Sequence, residues 1–378
     1  MPDPSFRLIT PDAAGIAAAA GILAAGDLLA FPTETVYGLG ADASNPVAIA
    51  RLYAAKQRPT SHPVIIHLPP DGDPEWWTQP LPSMARALID AFWPGPLTLI
   101  LPRSNKALDA VTGAQDSVGI RCPAHPVAQA LLQAFSAMRD GHGGIVAPSA
   151  NRFGHVSASS AAHVIEEFGE QVAVIDGGAC PIGIESTIVD LSRGFPALLR
   201  PGDITPEQIA EVLGEMPRSR LAGAMANRGI DKGAGSGADT GIGTNTGEPT
   251  DVGDAAAPRA SGTLKAHYAP RTPFRLCSFE AFQAAQQRAT PTEHIALIAR
   301  ASAEHWIEAA QRMPDRVHLL IAPSSPHDYA AQLYAMLRSL DASGAAVIIA
   351  EQLPHTPEWA AVNDRLGRAA AAFAAPPG

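Results

Sequence analysis

Hydrophobic residues in this chain come as short runs cut by polar, Gly- and Pro-rich stretches. Over residues 1–215 the β-prone runs LLAF (28–31), VIIHL (64–68), LTLIL (97–101), GIVAP (144–148), VAVID (172–176) and STIVDL (186–191) alternate with helical periodicity. This pattern predicts an α/β sheet with functional loops exposed at its strand ends. The longest apolar stretch, Ala13 to Ala25, lies between Asp12 and Asp27, follows no basic segment and is too short to span ~30 Å of hydrocarbon. It reads as a buried helix with Thr10 as its cap, Pro11 in its first turn and Gly26 at its end.

From about Leu221 to Gly262 the large apolar residues almost vanish, as in GAGSGADTGIGTNTGEPTDVGDAAAP. Such a segment cannot bury enough surface to offset its chain entropy, so residues 216–266 are expected to form a flexible linker. Beyond it, in 267–378, HIALIA (294–299), VHLLIA (317–322) and AAVIIA (345–350) read as strands, with helical periodicity over 327–340 and 358–373. That alternation predicts a small Rossmann-like parallel sheet with helices on its faces.

A length of 378 residues exceeds one ordinary hydrophobic core and agrees with two domains. The net charge of −10 disfavours adhesion to nucleic acid or an anionic membrane, because like charges repel before specific contacts form. Cys122, Cys180 and Cys277 are odd in number and widely spaced, which supports neither a disulfide framework nor a zinc site and fits a reducing, cytoplasmic setting.

Common nucleotide and hydrolase motifs do not account for the chemistry. No G-x-x-x-x-G-K-[ST] or G-x-S-x-G is present. Gly38-Leu-Gly40-Ala-Asp-Ala43 matches G-x-G-x-x-A, but PTETVY separates it from the preceding strand and no acidic residue stands near position 60. What remains is a set of polar segments, each just after a hydrophobic run. They are FPTETVYGLG (31–40), KQRPTSHPVIIH (56–67), WPGPLTLIL (93–101), SVGIRCPAHP (117–126), APSANRFGHVS (147–157), GIESTIVDL (183–191) and LLRPG (198–202). Residues 1–215 hold 12 Lys and Arg against 22 Asp and Glu, yet Lys56, Arg58, Arg121 and Arg200 all fall in these segments. Scarce cations gathered in loops of an acidic domain point to an anion pocket, although any one of them alone is equally a solvated surface side chain.

The order and wording of the seven segments resemble the Sua5/YrdC family of threonylcarbamoyl-AMP synthases. HYAPRTP at 267–273, with the later LRSLDASGA and VNDRLGRAA, resembles the C-terminal domain of the longer Sua5 form. The resemblance implies a YrdC-like twisted mixed sheet with an open concave site, joined by the linker to the small α/β domain. It implies synthesis of threonylcarbamoyl-AMP from ATP, L-threonine and bicarbonate for N6-threonylcarbamoyladenosine in tRNA, with a Kae1/TsaD-type transferase complex downstream. It places ATP at Arg58, His62, Ser117, Ser149, Ser157 and Arg200, makes Lys56 and Arg58 catalytic, and places threonine at Thr35, His67, Arg121, Ala147 and Ser186. Mg²⁺ is expected to ride on the phosphates and water, because no carboxylate cluster looks like a cage; Glu34 and Glu185 read more readily as turn or core-edge residues.

Two positions depart from the family pattern. His62 stands where many relatives carry Asn, which suggests a pH-dependent ATP affinity. Lys265 is the nearest equivalent of the aromatic residue that often precedes HYAP, and it is the expected linker contact to ATP. A binding module for double-stranded RNA or the ribosome is the alternative from another class, which the acidic charge disfavours. Carbamoyl transfer from carbamoyl phosphate is a second enzymatic alternative; related proteins with that chemistry carry acylphosphatase-like and zinc-finger regions that this chain lacks. The C-terminal region offers no Gly-rich phosphate loop and is expected to close over the site.

Overall fold

The computed structural model describes residues 8–219, 257–288 and 294–374. Most of the Gly/Ala/Asp-rich stretch assigned to the linker therefore lies outside the described residues. The first region runs β1 (Leu8–Ile9), α1 (Ala13–Ala24), β2 (Leu29–Phe31), β3 (Gly38–Asp42), α2 (Pro46–Lys56), β4 (Ile65–His67), α3 (Ser83–Phe92) and β5 (Leu97–Pro102). It continues through α4 (Asp109–Thr112), β6 (Ser117–Arg121), α5 (Pro126–Ala137), β7 (Ile145–Val146), α6 (Ala161–Phe168), β8 (Ala173–Ile175), β9 (Thr187–Asp190), β10 (Ala197–Arg200), α7 (Pro206–Leu213) and β11 (Arg218–Ser219). These strands form one mixed sheet in the order β1-β8-β2-β3-β7-β4-β6-β5-β9-β10-β11.

One core packs Ile16, Ala19 and Leu23 of α1 with Leu131 and Phe135 of α5 against Leu29, Phe31 and Ile145. A second joins Ile49 and Leu52 of α2, Leu88 of α3 and Val164 of α6 to Leu39, Ile66, Leu99 and Ile120. The expected α1 is present, but Asp12 caps it: its Oδ1 accepts from Gly15 N at 2.8 Å, while the Thr10 hydroxyl donates to Asp12 Oδ2 at 2.7 Å. Gly15 is required there, since a Cβ would lie 2.0 Å from the Thr10 carbonyl oxygen. The G-x-G-x-x-A segment forms strand β3 and its following turn, and α2 starts only at Pro46. This is the geometry of neither a phosphate turn nor a helix opening.

The second region contains β12 (Phe274–Cys277), α8 (Phe279–Arg288), β13 (Ile295–Arg300), α9 (Glu304–Gln311), β14 (Val317–Ala322), α10 (Pro326–Asp341), β15 (Val347–Glu351) and α11 (Ala360–Ala371). Its four strands are all parallel, in the order β12-β15-β13-β14. Val36, Val156 and Ile184 of the first region share a buried cluster with Phe274, Tyr334, Leu337 and Leu366 of the second. The two regions therefore meet through a hydrophobic core together with the buried pairs Arg365–Glu185 and Arg338–Glu167.

Candidate active site

The ends of β4, β6, β7, β9 and β10 converge on one cavity, with about 510 Å³ of empty space when its open mouth is included. One end is built around Arg121, the last residue of β6. Its guanidinium is buried and donates from Nε to the Gly95 carbonyl at 3.2 Å, from Nη1 to Thr35 Oγ1 at 2.9 Å and from Nη2 to Glu34 Oε1 at 2.6 Å. Thr35 Oγ1, accepting from Arg121, lies 2.9 Å from Thr33 Oγ1, which itself donates to the Val36 carbonyl at 2.6 Å. Parallel pairing puts His67 opposite Arg121. Burial, and then the Arg121 charge, push His67 down to about 3, so its ring is neutral near pH 7. Ala147 and Ser186 complete this end, with Ser186 Oγ 2.8 Å from Thr98 Oγ1. All five residues assigned to threonine from the sequence line the same cavity.

The other end is cationic. Gln57 adopts the left-handed conformation after α2 (φ 53°), which reverses the chain and turns Lys56 and Arg58 toward the same cavity. Lys56 Nζ donates to the Ser149 and Asn151 carbonyls, and the Lys56 carbonyl accepts from Phe153 N at 2.8 Å. Burial, and then the Arg58 charge, hold the Lys56 ammonium well below its ordinary range. Arg58 donates to the His62 and Pro63 carbonyls at 3.3 and 2.8 Å and lies over the Phe153 ring at 5.5 Å. Arg200 donates to the Ser186 carbonyl at 3.0 Å and to Ser186 Oγ at 3.1 Å, while its Nη1 reaches the Ser261 carbonyl at 3.0 Å.

That last bond belongs to a strap, residues 257–268, that supplies part of the cavity lining. Arg259 anchors it by donating to Gln115 Oε1 at 2.6 Å and to the Gly113 carbonyl at 2.7 Å. Ser261, Gly262, His267 and Tyr268 all line the cavity. Three buried polar atoms on its wall have no hydrogen-bond partner: Asn151 Oδ1, His267 Nδ1 and Tyr268 OH. Buried polar groups are normally satisfied, so these three have hydrogen-bonding capacity that the protein itself leaves unused.

Not every residue assigned from the sequence is gathered here. Ser117 occupies the far end of β6 from Arg121 and lines an adjoining smaller pocket with Gln115, Arg259 and Ala260. Ser157 lies behind the wall, donating to Glu185 Oε1 at 2.6 Å. His62 stands outside the lining, edge-on to Phe153 with ring centroids 5.3 Å apart; partial burial, then Arg58 and Arg259, lower its pKa. Lys265 is exposed on the strap and does not enter the cavity; the strap contacts are Ser261, Gly262, His267 and Tyr268 instead. Asn151, Phe153, His267 and Tyr268 were not singled out from the sequence, although all four stand inside quoted motifs.

Glu185 also lines the cavity and is fully paired. Its carboxylate accepts from Ser157 Oγ, from Tyr334 OH at 3.1 and 2.9 Å, and from Arg365 Nε at 2.8 Å. Burial would raise its pKa, but the Arg365 and Arg200 charges and the hydrogen bonds from Ser157 and Arg365 hold it at about 2.

Comparison with known proteins gives a consistent picture. A family model described as "Telomere recombination" matches residues 21–202, and one described as the threonylcarbamoyl-AMP synthase C-terminal domain matches 204–371. The chain is 36% identical over 374 residues to a Bacillus subtilis threonylcarbamoyl-AMP synthase, covering 94% of this chain and 92% of the relative. It is 29% identical over 376 residues to the Schizosaccharomyces pombe threonylcarbamoyl-AMP synthase, covering 90% and 84%. A crystal structure of Pyrococcus abyssi Sua5 complexed with L-threonine superposes with a TM-score of 0.71 at 31% identity, covering 97% of this chain and 98% of that one.

Proposed function

Because the chain belongs to the threonylcarbamoyl-AMP synthase family, we propose that its cavity binds L-threonine at the Arg121 end and ATP at the Lys56–Arg58–Arg200 end, and joins them through bicarbonate. The observation that carries this reading is the lining. A fork of guanidinium donors beside a small hydroxyl shares one cavity with Lys56, Arg58 and Arg200 in a domain that is otherwise acidic, and Arg200 links the two groups through Ser186.

Arg121 would take the amino acid's carboxylate, and Thr35 and Ser186 its polar groups. Sites built to hydrogen-bond a hydroxyl leave their own groups unpaired when it is missing, which favours threonine over valine. Threonine's amine adds to the carbon of bicarbonate-derived CO₂, losing a proton and forming a carbamate. A carbamate oxygen then attacks the α-phosphorus of ATP while the bond to pyrophosphate breaks. The products are threonylcarbamoyl-AMP, pyrophosphate and water. No side-chain nucleophile takes part. Lys56, Arg58 and Arg200 hold the phosphates and offset the charge that builds up on them, and the strap limits water at the reacting atoms. Mg²⁺ fits a mode in which phosphates and water supply most ligands; Asn151 Oδ1 and the Ser149 hydroxyl are neutral oxygens suited to its shell, and the ion would neutralise phosphate charge. The product then serves a Kae1/TsaD-type transferase complex acting on tRNA. The odd, widely spaced cysteines support a reducing, cytoplasmic setting for this reaction. Among the described residues no helix is long and apolar enough to cross a membrane.

The test is pyrophosphate release from ATP with Mg²⁺ and bicarbonate, comparing L-threonine with valine and serine. Threonine-dependent release supports the reading, and none with any amino acid overturns it.

A further inference from the structure

Arg365 belongs to α11 of the second domain, yet most of its hydrogen bonds fall on the first. Nε donates to Glu185 Oε2 at 2.8 Å, Nη2 to the Glu185 carbonyl at 3.2 Å and Nη1 to the Pro201 carbonyl at 2.9 Å. Glu185 immediately precedes Ser186, and Pro201 immediately follows Arg200. One guanidinium therefore holds, from behind, the backbone beside two residues that line the cavity. The arrangement is sealed, with Arg365 only 1% exposed and Glu185 6%.

The same turn of α11 also reaches the strap. Arg368 donates to the Leu264 carbonyl, and its own carbonyl accepts from His267 N at 3.2 Å. Asp364 receives bonds from both arginines, at 2.8 Å from Arg365 and 3.0 Å from Arg368, and so locks them to one another. A different contact joins the domains at α6, where Arg338 pairs with Glu166 at 2.9 Å and Glu167 at 3.0 Å and donates to the Val156 and Ser157 carbonyls at 2.6 and 3.4 Å, behind the cavity wall. Those carboxylates do not line the cavity. Among the described residues, Arg365 and Arg338 are thus buried interdomain arginines, and of the two Arg365 is the one that touches the residues flanking Ser186 and Arg200.

We infer that Arg365 is a positioning residue for the synthase reaction: the second domain uses it to set Ser186 and Arg200 and, with Arg368, to register the strap against them. The inference rests on the proposed roles of Ser186 and Arg200. The fork geometry matters, because two backbone carbonyls and one carboxylate are reached at fixed angles from one plane. A misplacement of about 1 Å in such a shell is costly to catalysis even with every contacting residue present.

The test uses the full-length chain in three forms, Arg365→Met, Glu185→Gln with Arg365→Met, and Arg338→Met. The double variant removes both charges and so avoids stranding a buried carboxylate. At a temperature well below every melting point, both Arg365 variants are expected to raise KM for ATP and for threonine about tenfold or more. Arg338→Met is expected to leave both within about twofold while lowering the melting temperature. Unchanged KM values in the double variant, or an equal rise in Arg338→Met, would reduce Arg365 to interdomain glue and overturn the inference. If the wild type releases no pyrophosphate with threonine, the functional reading fails instead. Calorimetric ATP titration of the same proteins still decides the positioning role: weakening confined to the Arg365 variants supports it, and equal affinity overturns it.

Discussion

Arg121 Nη2 and Glu34 Oε1 lie 2.6 Å apart in a pair buried on both sides, and the second Glu34 oxygen, Oε2, has no hydrogen-bond partner. The guanidinium is thus held on one flank by a carboxylate of its own chain and on the other by Thr35, with its plane fixed before any ligand arrives. Preorganisation of this kind limits the ordering needed on binding.

Replacing Arg121 should have two separable effects. Arg121→Ala removes a charged donor, an interaction worth about 1.5–3 kcal/mol, so kcat/KM for threonine should fall by roughly 10- to 150-fold. It also strands Glu34 in the interior and should destabilise the fold by about 3–5 kcal/mol. Adding Glu34→Gln should return much of the stability but none of the activity. Urea midpoints and pyrophosphate release measured on the same two variants distinguish these outcomes.

Acid should weaken the protein in two stages. Burial pushes His67 and His267 down to about 3 and His163 to about 4, against an ordinary value of 6.5. Each is neutral in the folded chain but takes a proton in the unfolded one. Their contribution is fully present above pH 6.5 and is lost as pH falls below it, at up to about 1.4 kcal/mol per pH unit for each group. Glu185 and Glu167, held at about 2 against 4.5, join only below pH 4.5. Urea melts from pH 7.5 to 4.5 should therefore show a decline owed to histidine, and His163→Gln should flatten it. A flat profile in the wild type would contradict the buried neutral rings.

Tyr268 offers a cleaner probe of the proposed nucleotide site. Its hydroxyl is buried without a hydrogen-bond partner, and the residue lines the cavity. Tyr268→Phe deletes an unsatisfied group, so the melting temperature should stay level or rise, by up to about 1–3 kcal/mol of stability. KM for ATP should nonetheless increase several-fold, because the lost hydroxyl is available to the ligand. A fall in stability with unchanged KM would assign Tyr268 to packing alone.

The strands that the sequence made legible are those written in branched apolar residues, such as β4, β5, β13 and β14. Strands β3 and β6 were harder to see, because GLGAD and SVGIR carry glycine and charge although all their residues are buried. Gly40 is there for space: a Cβ would meet the Leu29 carbonyl oxygen and Phe31 at 3.0 Å. The gathering of Thr35, His67, Arg121, Ala147 and Ser186 in one cavity was legible through their motifs, whereas the pairing of Arg121 with Glu34 joins residues 87 apart in the chain and left no local mark. Ser117 stands four residues before Arg121 on the same strand, which is about 13 Å along an extended chain and enough to carry it into the adjoining pocket. On the strap, the family resemblance pointed to Lys265; the residue that lines the cavity is Tyr268, at a positive φ of 61° that no composition argument foresees.

Gly262 is where the strap meets the site most closely. Its φ of 73° is in the left-handed region, and a Cβ placed there would lie 2.1 Å from Tyr268 OH and 2.9 Å from Arg200 Nη1. Gly262→Ala therefore combines backbone strain with a clash against two cavity-lining groups. The strap must lift, which would break the bond from Arg200 to the Ser261 carbonyl. Both domains keep their own cores, so the far-ultraviolet circular dichroism should match the wild type and the melting temperature should fall only by the roughly 1–3 kcal/mol of a strained position. Threonine-dependent pyrophosphate release should drop by tenfold or more, and uncoupled hydrolysis of ATP should rise relative to it as water gains entry, on the order of the effect that lid closure has in other sites. Wild-type turnover in Gly262→Ala would mean that the strap can lift without consequence, and that the cavity does its chemistry from the sheet loops alone.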